Sequence, residues 1–250
     1  MKRLILITFV CSMIAACSDK QQAETKTITA SHRLPGDSTR YGLACDGSTD
    51  SVLVFLTNGA TRIDTLDIIT ARQNMRIYGR PHIGDELAVM VNPEDTTEVL
   101  SVVNMEMLRG EWAYMVTPTL RQKGQQTSHM KHMEGPLPDS IRQRLLAPRE
   151  YGLRMKRDYS AMAYGGMRQL TSDDRTPVEF PDVKHYTEWN ILNGRLILKA
   201  DTIAGLTHEG DVPETDTADI VLLSRDSLVL RFSDHEQGYY RKEQKGLSQQ

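Results

Sequence analysis

Hydrophobic positions fall into three regimes along the chain. Leu4 to Ala16 is an almost unbroken apolar run, and residues 18 to about 40, SDKQQAETKTITASHRLPGDSTR, are polar with no apolar periodicity. From Tyr41 the pattern becomes short apolar runs separated by turn residues: YGLAC before DGSTD, SVLVFLT before NGAT, IDTLDII before a polar ARQN, then MRIYG, LAVMV and TEVLSVV. Runs of Val, Ile, Leu and Thr at this spacing, broken by Asp-Gly and Asn-Gly, predict strands and hairpins. About six strands in residues 41–105 predict a small N-terminal β-barrel or curled sheet.

A second strand-rich region opens near Glu106 with MEMLRGEWAYMV. Residues 117–149 are polar and contain Pro118, Pro136, Pro138 and Pro148; within them DSIRQRLLA predicts a short helix capped by Asp139 or Ser140. Strands resume at YGLRMK and YSAMAY. HYTEWNILNGRLILKA is the strongest hairpin signal, because Asn193-Gly194 suits the positive φ values of a two-residue type I′ turn. TADIVLLSRDSLVLRF repeats the device, and GYYRKE supplies a closing strand. Consecutive hairpins around one core predict an up-and-down barrel over residues 106–243, which removes exposed sheet edges. Residues 244–250 form a polar tail.

The first regime changes what the body is attached to. Lys2 and Arg3 precede the apolar run and Ala15-Ala16 end it, the layout of a secretory leader over residues 1–16. At about thirteen residues the run is shorter than the ~20 a helix needs to cross a bilayer. Ile14-Ala15-Ala16-Cys17 resembles the bacterial lipobox, in which the cysteine becomes the new N-terminus and carries a diacylglyceryl thioether. The resemblance implies lipid attachment at Cys17, with two or three acyl chains giving stable anchoring. Ser18 rather than Asp follows Cys17, which under the same resemblance favours the outer membrane; periplasmic and surface faces both stay open. Residues 17–40 then read as a polar tether.

Composition is that of a globular protein, 39% hydrophobic and 25% charged, with a formal charge of −3. Loss of Lys2 and Arg3 with the leader leaves the remainder two units more negative, a poor match for a nucleic-acid backbone. In the N-terminal strands Tyr41, Phe55 and Tyr78 are the aromatics a stacking face would have to use. With Cys11 in the leader and Cys17 acylated, Cys45 has no partner for a disulfide and reads as a small buried residue at a strand end.

Leu108-Arg109-Gly110-Glu111-Trp112 resembles the opening G-x-W signature of the lipocalins. Trp189 before its hairpin, and Asp226 to Leu230 followed by Tyr239-Tyr240-Arg241, look like the second half of lipocalin-like lipoproteins of Bacteroidota. The resemblance covers roughly Met107 to Glu243. It implies a structural signature of Gly110, Trp112 and Arg241, with Trp112 at the closed end of the barrel beneath Arg241 in a cation–π contact of about 0.5–2 kcal/mol. It also implies a cup able to hold an apolar ligand.

Tests for chemistry return little. The chain has no G-x-S-x-G, H-E-x-x-H, G-x-G-x-x-G or G-x-x-x-x-G-K-S/T. His208-Glu209 and Asp234-His235-Glu236 read as exposed turns. His129 and His132, three apart beside Met130 and Met133, have the spacing of a soft-metal site. The sequence therefore reads as an all-β envelope lipoprotein, membrane-bound through Cys17, without catalysis, nucleic acid or cofactor. It would bind a small apolar or glycan-like ligand or serve as an envelope interaction module. An envelope enzyme with its site at the barrel mouth, and a metal-handling lipoprotein using His129 and His132, are the alternatives.

Overall fold

The computed structural model describes residues 33–120, 138–165, 178–180, 184–200 and 214–242. Its N-terminal part contains β1 (Arg40–Ala44), β2 (Val52–Thr57), β3 (Asp64–Asp67), α1 (Ile69–Gln73), β4 (Ile77–Tyr78), β5 (Glu86–Val91) and β6 (Val99–Asn104). After α2 (Met105–Leu108) come β7 (Gly110–Val116), β8 (Thr119–Leu120), α3 (Asp139–Leu145), β9 (Arg149–Met155), β10 (Ala161–Tyr164) and β11 (Val178–Glu179). The chain then runs through β12 (Tyr186–Leu192), β13 (Arg195–Ala200), β14 (Thr215–Leu223), β15 (Ser227–Arg231) and β16 (Glu236–Arg241). The all-β order expected from the hydrophobic pattern, a small curled sheet followed by an up-and-down barrel, is the one observed.

The first six strands pair in the order β3-β2-β1-β5-β6-β4. A parallel bridge between Asp67 and Glu98 brings the end of β3 to the start of β6, and the Asp67 amide donates to the Thr97 carbonyl at 2.8 Å. This curls five strands into a small, partly open Greek-key barrel, the strand order that in other proteins carries oligonucleotides or oligosaccharides. Here Tyr41 and Phe55 are buried, at 8% and 0% exposure, so neither can stack on a ligand. Shared strand order does not transfer a function.

The residues Ile68-Ile69 and ARQN, read above as strand end and polar connector, instead open and form α1. Asp67 accepts from the Ile69 amide through its carboxylate at 2.8 Å, and Ala71 is buried under β6. The signal was hidden because α1 has barely more than one turn, too short for helical periodicity to show. Helix α3 forms where expected, but neither Asp139 nor Ser140 caps it; Pro138 occupies the N-cap and provides no side-chain acceptor. Cys45 follows the end of β1 and is half-buried rather than enclosed.

Eight strands make the larger sheet, in the order β10-β9-β7-β16-β15-β14-β13-β12. Apart from the small β8–β11 ladder, each barrel strand neighbours the next in sequence, and β16 returns to β7 through Arg241 opposite Trp112. The remaining seam, β10 against β12, is joined by the Ser160–Glu188 bridge and by the Trp189 amide donating to the Tyr159 carbonyl at 2.9 Å. Asn193 and Gly194, at φ 50° and 79°, form the expected two-residue turn between Leu192 and Arg195.

One end of this barrel is sealed by the N-terminal body. Met105 and Leu108 of α2, with Tyr41, Ala88 and Val103, share a continuous core with Trp112, Trp189, Leu196 and Leu228. Three barrel turns are gripped there. Gly79 donates its amide to Leu223 at 3.1 Å, Tyr159 reaches Glu86 at 3.4 Å, and the Asn193 turn meets residues 36–39. The Asn193 side chain accepts from the Ser38 amide and hydroxyl at 2.9 and 2.8 Å and donates to the Gly36 carbonyl at 3.2 Å. The final residues of the segment read as a tether are thus fixed to the barrel.

Tyr41 anchors the same junction, its hydroxyl lying 2.6 Å from the Ile191 carbonyl and 2.9 Å from Asp37 Oδ2. Tyr41→Phe strips the buried carbonyl of its donor, so a loss of about 1–3 kcal/mol is expected. A urea unfolding midpoint equal to that of the parent would refute this role.

Candidate functional site

The barrel interior has two chemically different halves. Side chains two apart on a strand share a face, so the inward face can be followed from Trp112 to Tyr114 on β7, from Leu153 to Tyr151 on β9 and from Arg241 to Tyr239 on β16. The pairings of Trp112 with Leu153 and Arg241, and of Tyr114 with Tyr151, keep these residues in two layers. The lower layer is the sealed end and the upper layer faces the mouth.

At the sealed end the structure brings Gly110, Trp112 and Arg241 together. Trp112 is fully buried and donates its indole N–H to the Leu108 carbonyl at 2.8 Å. The Arg241 guanidinium carbon sits 4.1 Å from the centre of the Trp112 ring. Arg241 Nη1 donates to the Arg109 carbonyl at 2.9 Å, while Nη2 and Nε serve the carbonyls of Met107 and Arg225. One planar cation therefore ties α2, the start of β7 and the β14–β15 turn to the last strand. Gly110 adopts φ 128°, and a Cβ there would lie 2.6 Å from Arg241 Nη1. Trp189 repeats the indole arrangement on the other side of the barrel, donating to the Lys156 carbonyl at 2.9 Å.

Beside this stack, Arg109 is only 8% exposed and forms ion pairs with Glu86 at 2.6 Å and Glu106 at 2.9 Å. Asn104 is wholly buried; its amide donates to the Arg80 carbonyl and Asp85, and its oxygen caps α2 at the Met107 amide. These paired polar groups fix the sealed end.

The mouth is lined by tyrosines. Tyr114 packs edge-on against Tyr151 and Tyr239, with ring centroids 6.0 and 5.2 Å apart. Tyr186, from β12, donates its hydroxyl to Asp216 Oδ2 at 2.7 Å, and Lys184 bonds the other Asp216 oxygen at 2.8 Å. Asp216 shares the inward face because it pairs with Leu198, which is completely buried. Tyr114, Tyr186 and Tyr239 remain half-buried rather than enclosed. Burial raises the hydroxyl pKa of Tyr239 and Tyr114, and burial followed by the bond to Asp216 raises that of Tyr186. All three stay neutral phenols at physiological pH, offering an aromatic face and a polar hydroxyl.

The other sequence candidates lie elsewhere. Cys17, His129, His132 and His208-Glu209 fall outside the described residues. Asp234 and His235 occupy the β15–β16 turn and are exposed, as read from the sequence, with His235 Nδ1 2.7 Å from Asp234 Oδ1. Among the described residues no group of three or more His, Cys, Asp or Glu side chains is placed to hold a metal. No helix there is long and apolar enough to cross a membrane. The tyrosine lining was missed from sequence because inward and outward tyrosines, such as Tyr239 and Tyr240, are adjacent and alike in composition.

No family model matches the sequence, and no curated protein matches it. Among solved structures, a lipocalin-like protein from Bacteroides thetaiotaomicron is similar. The two are 21% identical over 54% of this chain and 95% of the other, with a TM-score of 0.27. A likeness of that size carries no argument, and the barrel assignment rests on the strand order and closure described above.

Proposed function

We infer that this protein is an exported, lipid-anchored envelope protein whose barrel holds a small apolar or glycan-like ligand at its mouth without transforming it. The observation that carries the reading is the inward-facing Tyr114, Tyr151, Tyr186 and Tyr239 at the end of the barrel opposite the sealed one. Ligand sites combine apolar or aromatic walls with a few fixed polar groups, the roles this reading gives to the tyrosine rings, their hydroxyls and Asp216. Gly110, Trp112 and Arg241 keep the far end shut, a structural role in this reading.

Cys17 carries the lipid, and the outer membrane is its destination. Arg33 follows Cys17 by sixteen residues, a reach of at most about 55 Å at full extension. Residues 36–39 are bound to the Asn193 turn, which supports a reading in which the tether leaves the body beside the sealed end and not at the mouth.

Titration with the neutral dye Nile red and with a panel of neutral oligosaccharides should reveal one saturable site. Tyr114→Ala and Tyr239→Ala should each weaken it about tenfold while the fold persists by circular dichroism. Binding unaffected by both substitutions defeats the mouth as the site. Mass spectrometry of the mature N-terminus separately tests the anchor, and an unmodified Cys17 there would remove it.

A further inference from the structure

The outer surface at the sealed end carries a cleft of about 490 Å³ beside α2, the β9–β10 turn and the end of β16. Six of its ten lining residues are cationic: Arg109, Arg154, Lys156, Arg157, Arg241 and Lys242. Such a concentration stands out in a chain whose formal charge is −3.

Four carboxylates answer those six charges. Glu111 pairs with Arg154, Glu106 with Arg157 and Arg109, Glu86 with Arg109, and Glu150 with Lys242. Two of the six cations are left without an ion pair among the described residues. Lys156 makes no ion pair among the described residues; Asp158 accepts from the Ser160 hydroxyl and amide and acts on Lys156 only through longer-range attraction. Arg241 spends its donors on three backbone carbonyls, and burial depresses its pKa, with Asp226 giving only longer-range support.

Donors also exceed acceptors. Arg109 and Arg154 each keep a buried Nε with no hydrogen-bond partner. Arg154 and Arg157 use Nη2 on their glutamates, and their side chains are 41% and 66% exposed, so further N–H groups face the cleft.

We propose that this cleft binds an oxyanion carrying two negative charges, a phosphate monoester group, held by Lys156, Arg154 and Arg157. A dianion carries one charge for each cation without an ion pair, and guanidinium forks fit tetrahedral oxyanions with paired hydrogen bonds. Arg241 contributes field from beneath rather than a contact. The site lies at the opposite end of the barrel from the tyrosine mouth and does not depend on ligand binding there.

The test uses the full chain carrying Cys17→Ala, so that no acyl chain contributes to membrane binding. Isothermal titration with inorganic phosphate and with sodium sulfate, the two tetrahedral dianions, at low ionic strength is run beside co-sedimentation with vesicles of phosphatidylcholine and phosphatidic acid in equal parts. One saturable site is expected, weakening with added salt. Lys156→Ala and Arg157→Ala should each reduce affinity about tenfold, and Lys156→Glu should abolish it, all with unchanged unfolding midpoints. Binding of the free dianions without vesicles assigns a soluble phosphate monoester, and binding of vesicles alone assigns a lipid with a terminal phosphate monoester. Absence of binding in every arm, or binding that survives Lys156→Glu and Arg157→Ala, overturns the proposal.

Discussion

Trp112→Ala should lower the stability of the protein by about 3–5 kcal/mol, the range for deleting a large buried aromatic. Against a typical total of about 5–15 kcal/mol this leaves the barrel marginal or unfolded. The residue is completely buried, and its loss would empty the sealed end, release the Leu108 carbonyl and remove the surface on which Arg241 rests. Trp112→Phe should cost less because it refills part of the volume while still losing the N–H. Arg241→Lys should recover little of the effect of Arg241→Met, since an ammonium cannot reach three carbonyls from a planar fork. Urea unfolding followed by circular dichroism measures all four. A Trp112→Ala protein within about 1 kcal/mol of the parent would show that the sealed end is not part of the cooperative core.

Gly110→Ala is expected to be the second severe substitution, at about 2–4 kcal/mol. Two separate causes add. The backbone φ of 128° is a conformation that L side chains rarely adopt, and the new methyl would sit 2.6 Å from Arg241 Nη1. An arginine end is normally free to swing away, but this one is held by Trp112 and by the carbonyls of Met107, Arg109 and Arg225. The clash can be separated from the strain by a double-mutant cycle with Arg241→Met. In that background Gly110→Ala should cost distinctly less, only the backbone strain remaining. Strict additivity of the two substitutions would mean that the methyl never presses on Arg241.

Much of the barrel was legible because each hairpin is a local event. Asn193-Gly194 dictated its own turn, and alternation in WNIL and RLIL placed Trp189, Ile191, Leu196 and Leu198 on one face before any partner was known. The failures were also local in cause. Helix α1 was too short to show a period, and in α3 the residues offered as caps, Asp139 and Ser140, lie one and two steps past the N-cap. Cys45 stops one residue past the buried end of β1.

Long-range partners had no such signal. Arg241 over Trp112 was expected only through the family resemblance, not from LRGEW or GYYRK themselves, and nothing in PGDST shows that Ser38 will bind the tip of a hairpin 155 residues away. The cationic cleft is likewise assembled from α2, the β9–β10 turn and the last strand, whose charges are scattered when read in order.

The sequence by itself determined the strands, the tight turns and the polar and apolar faces, because hydrogen-bonding geometry and burial act on residues near one another in the chain. Only the tertiary structure decided which strands close the barrel, which end the N-terminal body seals, and which tyrosines and arginines meet. Those outcomes depend on volume and charge being satisfied among distant segments at once, and no stretch of residues contains that condition alone.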